Sequence, residues 1–319
     1  PRVHEFLQEM HEQVLQHYDI MTVGEGVGIA PEQANLYVGK DRRELNMIFH
    51  FGHMFIDHGP GGKFDIVDFP LTEFKEVFNR WDKAIGDQGW LNIYLDNHDF
   101  PRIVSRFGND GVYHEASAKM LALLILTLRG TPCIYQGSEI GMTNVAYESL
   151  DEYRDVESLN AIREYQEQGK DLNELLKILH IQGRDNVRTP FQWDDAEHAG
   201  FTEGTPWLKV NPNYEQINAA AERAKEDSIW HFYRELLAWR KQHPTLIYGA
   251  YEELTQGDEA LFGYLRSDEK HRYFIIHNFT DETQSFHFPE GNWSLERSNY
   301  PVAEGDLQPW EGRVYHMTK

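Results

Sequence analysis

The 319-residue chain has one cysteine, Cys133, and therefore builds no internal disulfide framework. That cysteine sits in the apolar run Thr131-Pro132-Cys133-Ile134-Tyr135 and reads as a small core residue. Basic residues are scarce: 30 Lys and Arg face 52 Asp and Glu, for a net charge of -22. Nucleic-acid phosphates reward basic surfaces, so nucleic acid is not an expected partner. The acidity reads instead as the solvated surface of a cytoplasmic protein. Long apolar runs are also missing. The longest, residues 120–128, falls well short of the roughly 20 residues a membrane helix needs, so no membrane partner and no signal peptide are expected. No glycine loop of the dinucleotide or Walker kind occurs. His50, His53 and His58 cluster, yet no spacing matches a zinc or Ca²⁺ loop, so neither a metal nor a cofactor is expected.

What the chain does contain is a set of short apolar runs ending in ionisable side chains. Residues 90–95 read as a buried strand that ends in Asp96-Asn97-His98-Asp99. Residues 20–25, Ile20-Met21-Thr22-Val23-Gly24-Glu25, have the same shape. In α/β barrels the chemistry sits at the carboxyl ends of the strands. Strand-end Asp and Glu often do no more than cap the following helix. Three consecutive polar side chains at residues 97–99 exceed what capping needs. Two carboxylates delivered to one rim suit glycoside hydrolysis, in which an acid protonates the leaving oxygen and further carboxylates stabilise an oxocarbenium-like transition state. Phe51, Tyr94, Phe100, Phe107 and Trp193 lie near these motifs. Most such aromatics are core, while some stack on sugar faces.

Strands at residues 20–25, 45–51, 90–95 and 131–135 alternate with helices at 71–85 and about 115–128, the pattern of a parallel sheet. Four such strands make half of an eight-stranded barrel. An excursion at about 144–213 interrupts the last βα connection, and a helix at 228–242 closes the pattern. From about 246 the texture changes to short alternating runs at 251–254, 261–265, 273–278, 283–288 and 314–317, which predict a small antiparallel β domain. The division expected is 1–245 and 246–319. Pro1-Arg2-Val3-His4 runs at once into an amphipathic helix carrying Phe6, Met10, Val14 and Leu15, as expected of a piece cut from a longer polypeptide.

Val23-Gly24-Glu25 and Asn97-His98-Asp99 resemble two motifs of the α-amylase family of glycoside hydrolases. So do residues 101–108, 134–142 and Gly183-Arg184-Asp185-Asn186, which are similar to the oligo-1,6-glucosidase, α-glucosidase and phosphotrehalase branch. The resemblance covers essentially the whole chain. It implies a (β/α)8 TIM barrel, here its second half, strands five to eight, followed by a C-terminal β-sandwich. It implies Glu25 as general acid/base and Asp99 as the carboxylate that grips the sugar ring. His98 and Arg184 would bind substrate, with Asn97, Phe51 and Phe100 in the same pocket. Burial and nearby negative charge would have to raise the pKa of Glu25. The family's nucleophilic aspartate, in a Gly-Phe-Arg-x-Asp type motif, has no counterpart, and neither do its early-strand histidine and aspartate. Gly52 and Phe100 also depart from the family pattern, on the side expected to hold the leaving group. The activity implied is retaining hydrolysis of short α-linked gluco-oligosaccharides, with a phosphotrehalase or sucrose-acting enzyme as alternative and a non-catalytic carbohydrate-binding barrel as a rival of another class. Two apolar sheet edges left unpaired would favour self-association or union with a missing N-terminal half.

Overall fold

The computed structural model describes residues 2–318, so Pro1, where the opening motif begins, lies outside the described residues. Helix α1 spans Val3–Gln13 and buries none of its residues. Strand β1 (Val23–Gly26) is followed by the short helix α2 (Ala34–Val38) and strand β2 (Met47–His50). A hairpin of β3 (His58–Gly59) and β4 (Gly62–Ile66) precedes helix α3 (Leu71–Ile85). Strand β5 (Asn92–Ile93), helices α4 (Ile103–Phe107) and α5 (His114–Thr127) and strand β6 (Thr131–Pro132) complete the first part. β1 pairs with β2 and β5 with β6, both parallel, and a parallel bridge from Ile48 to Leu91 joins the pairs. The result is four parallel strands in chain order.

Two helices cover this sheet for opposite reasons. In α3, Leu71, Phe74, Phe78, Trp81 and Ile85 recur three and four residues apart, so one stripe is buried and the other face is wet. In α5 every residue from Ser117 to Thr127 is buried, as a helix apolar all round must be. The strands are shorter than their apolar runs. Tyr94 and Leu95 are buried yet lie outside the ladder, and Pro132 has no N–H to extend β6. Ile20 and Met21, expected inside the first strand, are exposed ahead of it.

The excursion folds into α6 (Val156–Gln168), α7 (Leu172–Gln182) and the single turn α8 (Asp185–Arg188), with its own small core of Val145, Tyr147, Tyr153, Leu175 and Leu179. Asp155 caps α6 by accepting the Glu157 amide at 2.9 Å, and Gly169 ends the helix in the left-handed region at φ 66°. Helices α9 (Ala219–Ala224), α10 (Ile229–Gln242, capped by Ser228) and α11 (Pro244–Tyr248) lead into the C-terminal sheet.

That sheet has five antiparallel strands: β7 (Ala250–Glu253), β8 (Leu261–Ser267), β9 (His271–Asn278), β10 (Ser294–Ser298) and β11 (Gly312–Thr318). Its order is β10-β11-β9-β8-β7. The strand expected at 283–288 is reduced to one bridge, Gln284 to Leu307. Instead of the expected sandwich, the described residues form one sheet. One face carries Phe262, Tyr264, Tyr273, Ile275 and Val314 into the main core. The other is covered by Leu307, Phe286 and Trp293 rather than by a second sheet. Two buried cations, Lys75 and Arg266, bind the sheet to the first part, and a third, Arg240, ties α10 to the end of α5 and to α11. Lys75 donates to the carbonyls of Thr255, Asp258 and Leu261. Arg240 donates to those of Leu126, Leu246 and Gly130. Arg266 donates to those of Thr127, Leu246 and Gly249.

Three buried histidines set an acid limit on this fold. Burial pushes His50 and His277 down to about 3 and holds His53 well below the usual imidazole range. Neither ring nitrogen of His50 or His53 has a hydrogen-bond partner among the described residues. The unfolded chain takes up these protons below its ordinary value of about 6.5 and the folded chain does not. This contribution to stability is therefore complete above about pH 6.5 and is lost progressively as the pH falls below it. Urea midpoints at neutral and mildly acid pH check this, with the largest decline expected in the wild type and a smaller one in His277→Gln.

Candidate active site

Glu25 lies in β1, and Asn97-His98-Asp99 follows β5, both at the carboxyl ends of parallel strands. Both segments therefore come to the same end of the parallel strands. Burial first, and then the charge of Glu25, push the Tyr94 hydroxyl upward. Tyr94 in turn donates to the His50 carbonyl at 2.7 Å and meets the Phe49 ring edge-on. Glu25 is exposed, so the burial expected around it is not provided by this chain.

Asp99 is held far more tightly than its position in a strand-end loop requires. Its Oδ1 accepts Arg184 Nη1 at 3.2 Å and Arg188 Nη2 at 2.8 Å. Its backbone N–H donates to Asn97 Oδ1 at 2.7 Å, the local turn expected of asparagine. Its carbonyl accepts Lys63 Nζ, from the β3–β4 hairpin, at 3.0 Å. The remaining oxygen, Oδ2, faces the exposed His98 ring, with Nε2 3.5 Å away. Arg184 and Arg188 both continue to Asp155, with Nε of the first 2.9 Å from Oδ1 and Nη1 of the second 2.6 Å from Oδ2. Lys63 ends on Glu157 at 2.8 Å. Arg188 Nε also donates to the His98 carbonyl at 2.9 Å.

The structure therefore brings His98, Asp99 and Arg184 together. Asn97 has its side-chain oxygen committed to its own turn. Phe51 and Phe100, expected as sugar-facing rings, are only 5% and 6% exposed. Phe51 packs on Tyr94, Phe55 and Phe100, and the Phe100 ring is covered by Lys63 and Arg106 at 5.3 and 5.2 Å. Phe100 offers no free ring face, and Phe51 borders a cavity away from Asp99. Arg188, Asp155, Glu157 and Lys63 escaped sequence reasoning because three separate segments deliver them. Arg188 alone carried a signal, lying four residues after Arg184 at the other end of the same helical turn. Asp96 turns inward, where burial raises its carboxyl to about 6 while it accepts Ser138 Oγ at 2.9 Å and the Ile103 amide at 3.3 Å.

A cavity of about 700 Å³ lies between residues 28–31, Phe51, Gly52, Phe55 and the first turns of α3. None of Glu25, His98, Asp99 or Arg184 lines it. Among the described residues no group of three or more His, Cys, Asp or Glu is placed to hold a metal ion. Nor is any helix among them long and apolar enough to cross a membrane.

Carboxylates at the carboxyl ends of parallel strands, with an antiparallel sheet appended, are the arrangement of α/β-barrel enzymes, which carry their chemistry at those ends. The family described as Alpha amylase, catalytic domain, matches residues 1–249, and the chain belongs to the α-amylase family. An oligo-1,6-glucosidase of Parageobacillus thermoglucosidasius is 48% identical over 328 residues, covering 99% of this chain and 58% of the relative. A trehalose-6-phosphate hydrolase of Bacillus subtilis is 40% identical, covering 100% of this chain and 59% of the relative. The crystal structure of the trehalose-6-phosphate hydrolase of Bacillus licheniformis superposes with a TM-score of 0.95 at 40% identity, over 100% of this chain and 60% of that one. An isomaltulose synthase of Klebsiella gives 0.94 at 37%, over 99% and 59%. The chain thus spans about three-fifths of the length of these relatives.

Proposed function

We propose that this chain is the C-terminal part of a retaining α-glucosidase of the oligo-1,6-glucosidase type, a cytoplasmic enzyme that removes terminal α-linked glucose from short oligosaccharides. Residues 1–245 supply strands five to eight of the barrel and residues 246–319 the β domain. In support, the family match stops at 249 and the antiparallel sheet begins at Ala250. Glu25 is the general acid/base, which protonates the glycosidic oxygen and then activates water. Asp99 binds the ring hydroxyls of the terminal glucose, with His98 and Arg184 beside it. The nucleophile comes from outside these 319 residues, because retention needs a carboxylate about 5–5.5 Å from the acid. The observation that carries the reading is that Glu25 on β1 and Asp99 after β5 both fall at the carboxyl ends of parallel strands.

A phosphorylated disaccharide is the second reading, suggested by the trehalose-6-phosphate hydrolases among the relatives. Lys63, Arg184 and Arg188 are all engaged with carboxylates, which favours a neutral sugar beside Asp99. The exposed apolar side chains of α1, Val3, Phe6 and Met10, with Val14 just after it, favour association with the remaining polypeptide or with a second copy. The full-length protein is expected to release 4-nitrophenol from its α-glucoside. The 319 residues alone are expected to do so no faster than background and to sediment at micromolar concentration as an associated species. Glu25-dependent turnover by the chain alone would overturn the proposal.

A further inference from the structure

The first turn of α6 does more than begin a helix. Asp155, its capping residue, is buried, and its two carboxylate oxygens face two different arginines. Oδ1 accepts Arg184 Nε at 2.9 Å and Oδ2 accepts Arg188 Nη1 at 2.6 Å. Each arginine then sends another nitrogen to the same atom, Asp99 Oδ1. Burial pushes the Asp155 carboxyl up, but the hydrogen bonds from Arg184 and the Glu157 amide, with the charges of both arginines, hold it below the ordinary carboxylate range. Two residues on, Glu157 reaches Lys63 at 2.8 Å and Arg184 Nε at 3.4 Å. Asp185 in turn fixes the Asp155 backbone, its Oδ2 accepting the amides of Arg154 and Asp155, both at 3.2 Å.

A guanidinium is a rigid fork, so anchoring one edge of it fixes where the other edge points. With Asp155 holding both forks, the two arginines converge on one oxygen of Asp99 and leave Oδ2 turned towards His98. Resting on the function proposed above, we propose that Asp155 is a positioning residue for the sugar-binding carboxylate: it aims Arg184 and Arg188 so that Asp99 presents a single oriented oxygen to substrate. The carboxylate of Asp155 touches no substrate itself. It acts through the arginines, and the α6 turn is thereby coupled to the geometry of the ring-binding pocket.

The test uses the full-length protein, with isomaltose as substrate. Asp155→Asn retains the helix cap but cannot grip both forks, so kcat is expected to fall about 10–100-fold with KM little changed, the effect of misplacing a reacting group by a fraction of an ångström to an ångström. Arg188→Lys, which keeps the charge but cannot span Asp99 and Asp155, is expected to give the same loss and decides the matter if Asp155→Asn does not fold. A lowered melting temperature with kcat per folded molecule unchanged, in whichever variant folds, would make Asp155 merely structural and overturn the inference. Asp99→Asn separates the two claims. If it is inactive while Asp155→Asn and Arg188→Lys work normally, only the inference falls; if Asp99→Asn itself turns over at the wild-type rate, the reading of the site falls.

Discussion

Replacing Glu25 with glutamine in the full-length protein is expected to lower turnover of isomaltose by about 10²–10⁴-fold. An amide is far too weak an acid to protonate the glycosidic oxygen and too weak a base to take a proton from water later. The loss should depend on the leaving group. Nitrophenolate departs without help, so 4-nitrophenyl α-glucoside should still glycosylate the enzyme and give a burst of one equivalent, followed by slow hydrolysis. Stopped-flow absorbance on the aryl glucoside and steady-state assay of isomaltose measure the two steps. Equal, small losses on both substrates would show that Glu25 is not the acid/base.

Arg266→Met is expected to be the most damaging single change to the fold. Its guanidinium donates to the carbonyls of Thr127, Leu246, Thr245, Ile247 and Gly249, tying the end of α5 to α11 and to the start of the C-terminal sheet. Methionine fills similar space but donates nothing. A buried acceptor left without its donor costs about 1–3 kcal/mol, and several are orphaned together, so a loss of at least about 3 kcal/mol is expected. Urea unfolding followed by tryptophan fluorescence would show it as a lower midpoint. A midpoint within about 0.5 kcal/mol of the wild type, the usual range for a surface change, would contradict the account.

How much of this could be read beforehand depended on whether the signal was local. Helix α3 is legible to the residue because its stripe of Leu71, Phe74, Phe78, Trp81 and Ile85 repeats at helical spacing between Pro70 and Gly86. Strand ends were legible as places because apolar runs stop abruptly at Glu25 and Asn97. Strand lengths were not, since a ladder needs a partner's N–H at each step and Pro132 supplies none. Helix α6 was missed because most of its residues face water and its apolar periodicity is weak, although Asp155 and Gly169 mark its two ends. β10 was missed because its Ser-Leu-Glu-Arg-Ser sequence exposes Leu295. Phe51 and Phe100 were expected to line a sugar pocket because aromatics near a carboxylate invite that reading. Only the tertiary structure shows Phe51 packed on Tyr94 and the Phe100 ring covered by Lys63 and Arg106. The surroundings of Asp99 were least legible of all, because hydrogen-bond partners from distant segments leave no pattern in either segment alone.

Those distances along the chain also bear on the order in which the molecule assembles. Lys63 and Glu157 are 94 positions apart, Asp99 and Arg184 are 85, and Asp99 and Arg188 are 89. Closing loops of that size costs conformational entropy before any contact repays it, whereas α3, α5 and the α6–α7 pair are made of near neighbours. Asp99 is therefore expected to be oriented only after the excursion has docked on the strand ends, late in folding. A chain in which the helices have formed but residues 155–188 have not yet settled holds the residues of the proposed sugar site without their geometry.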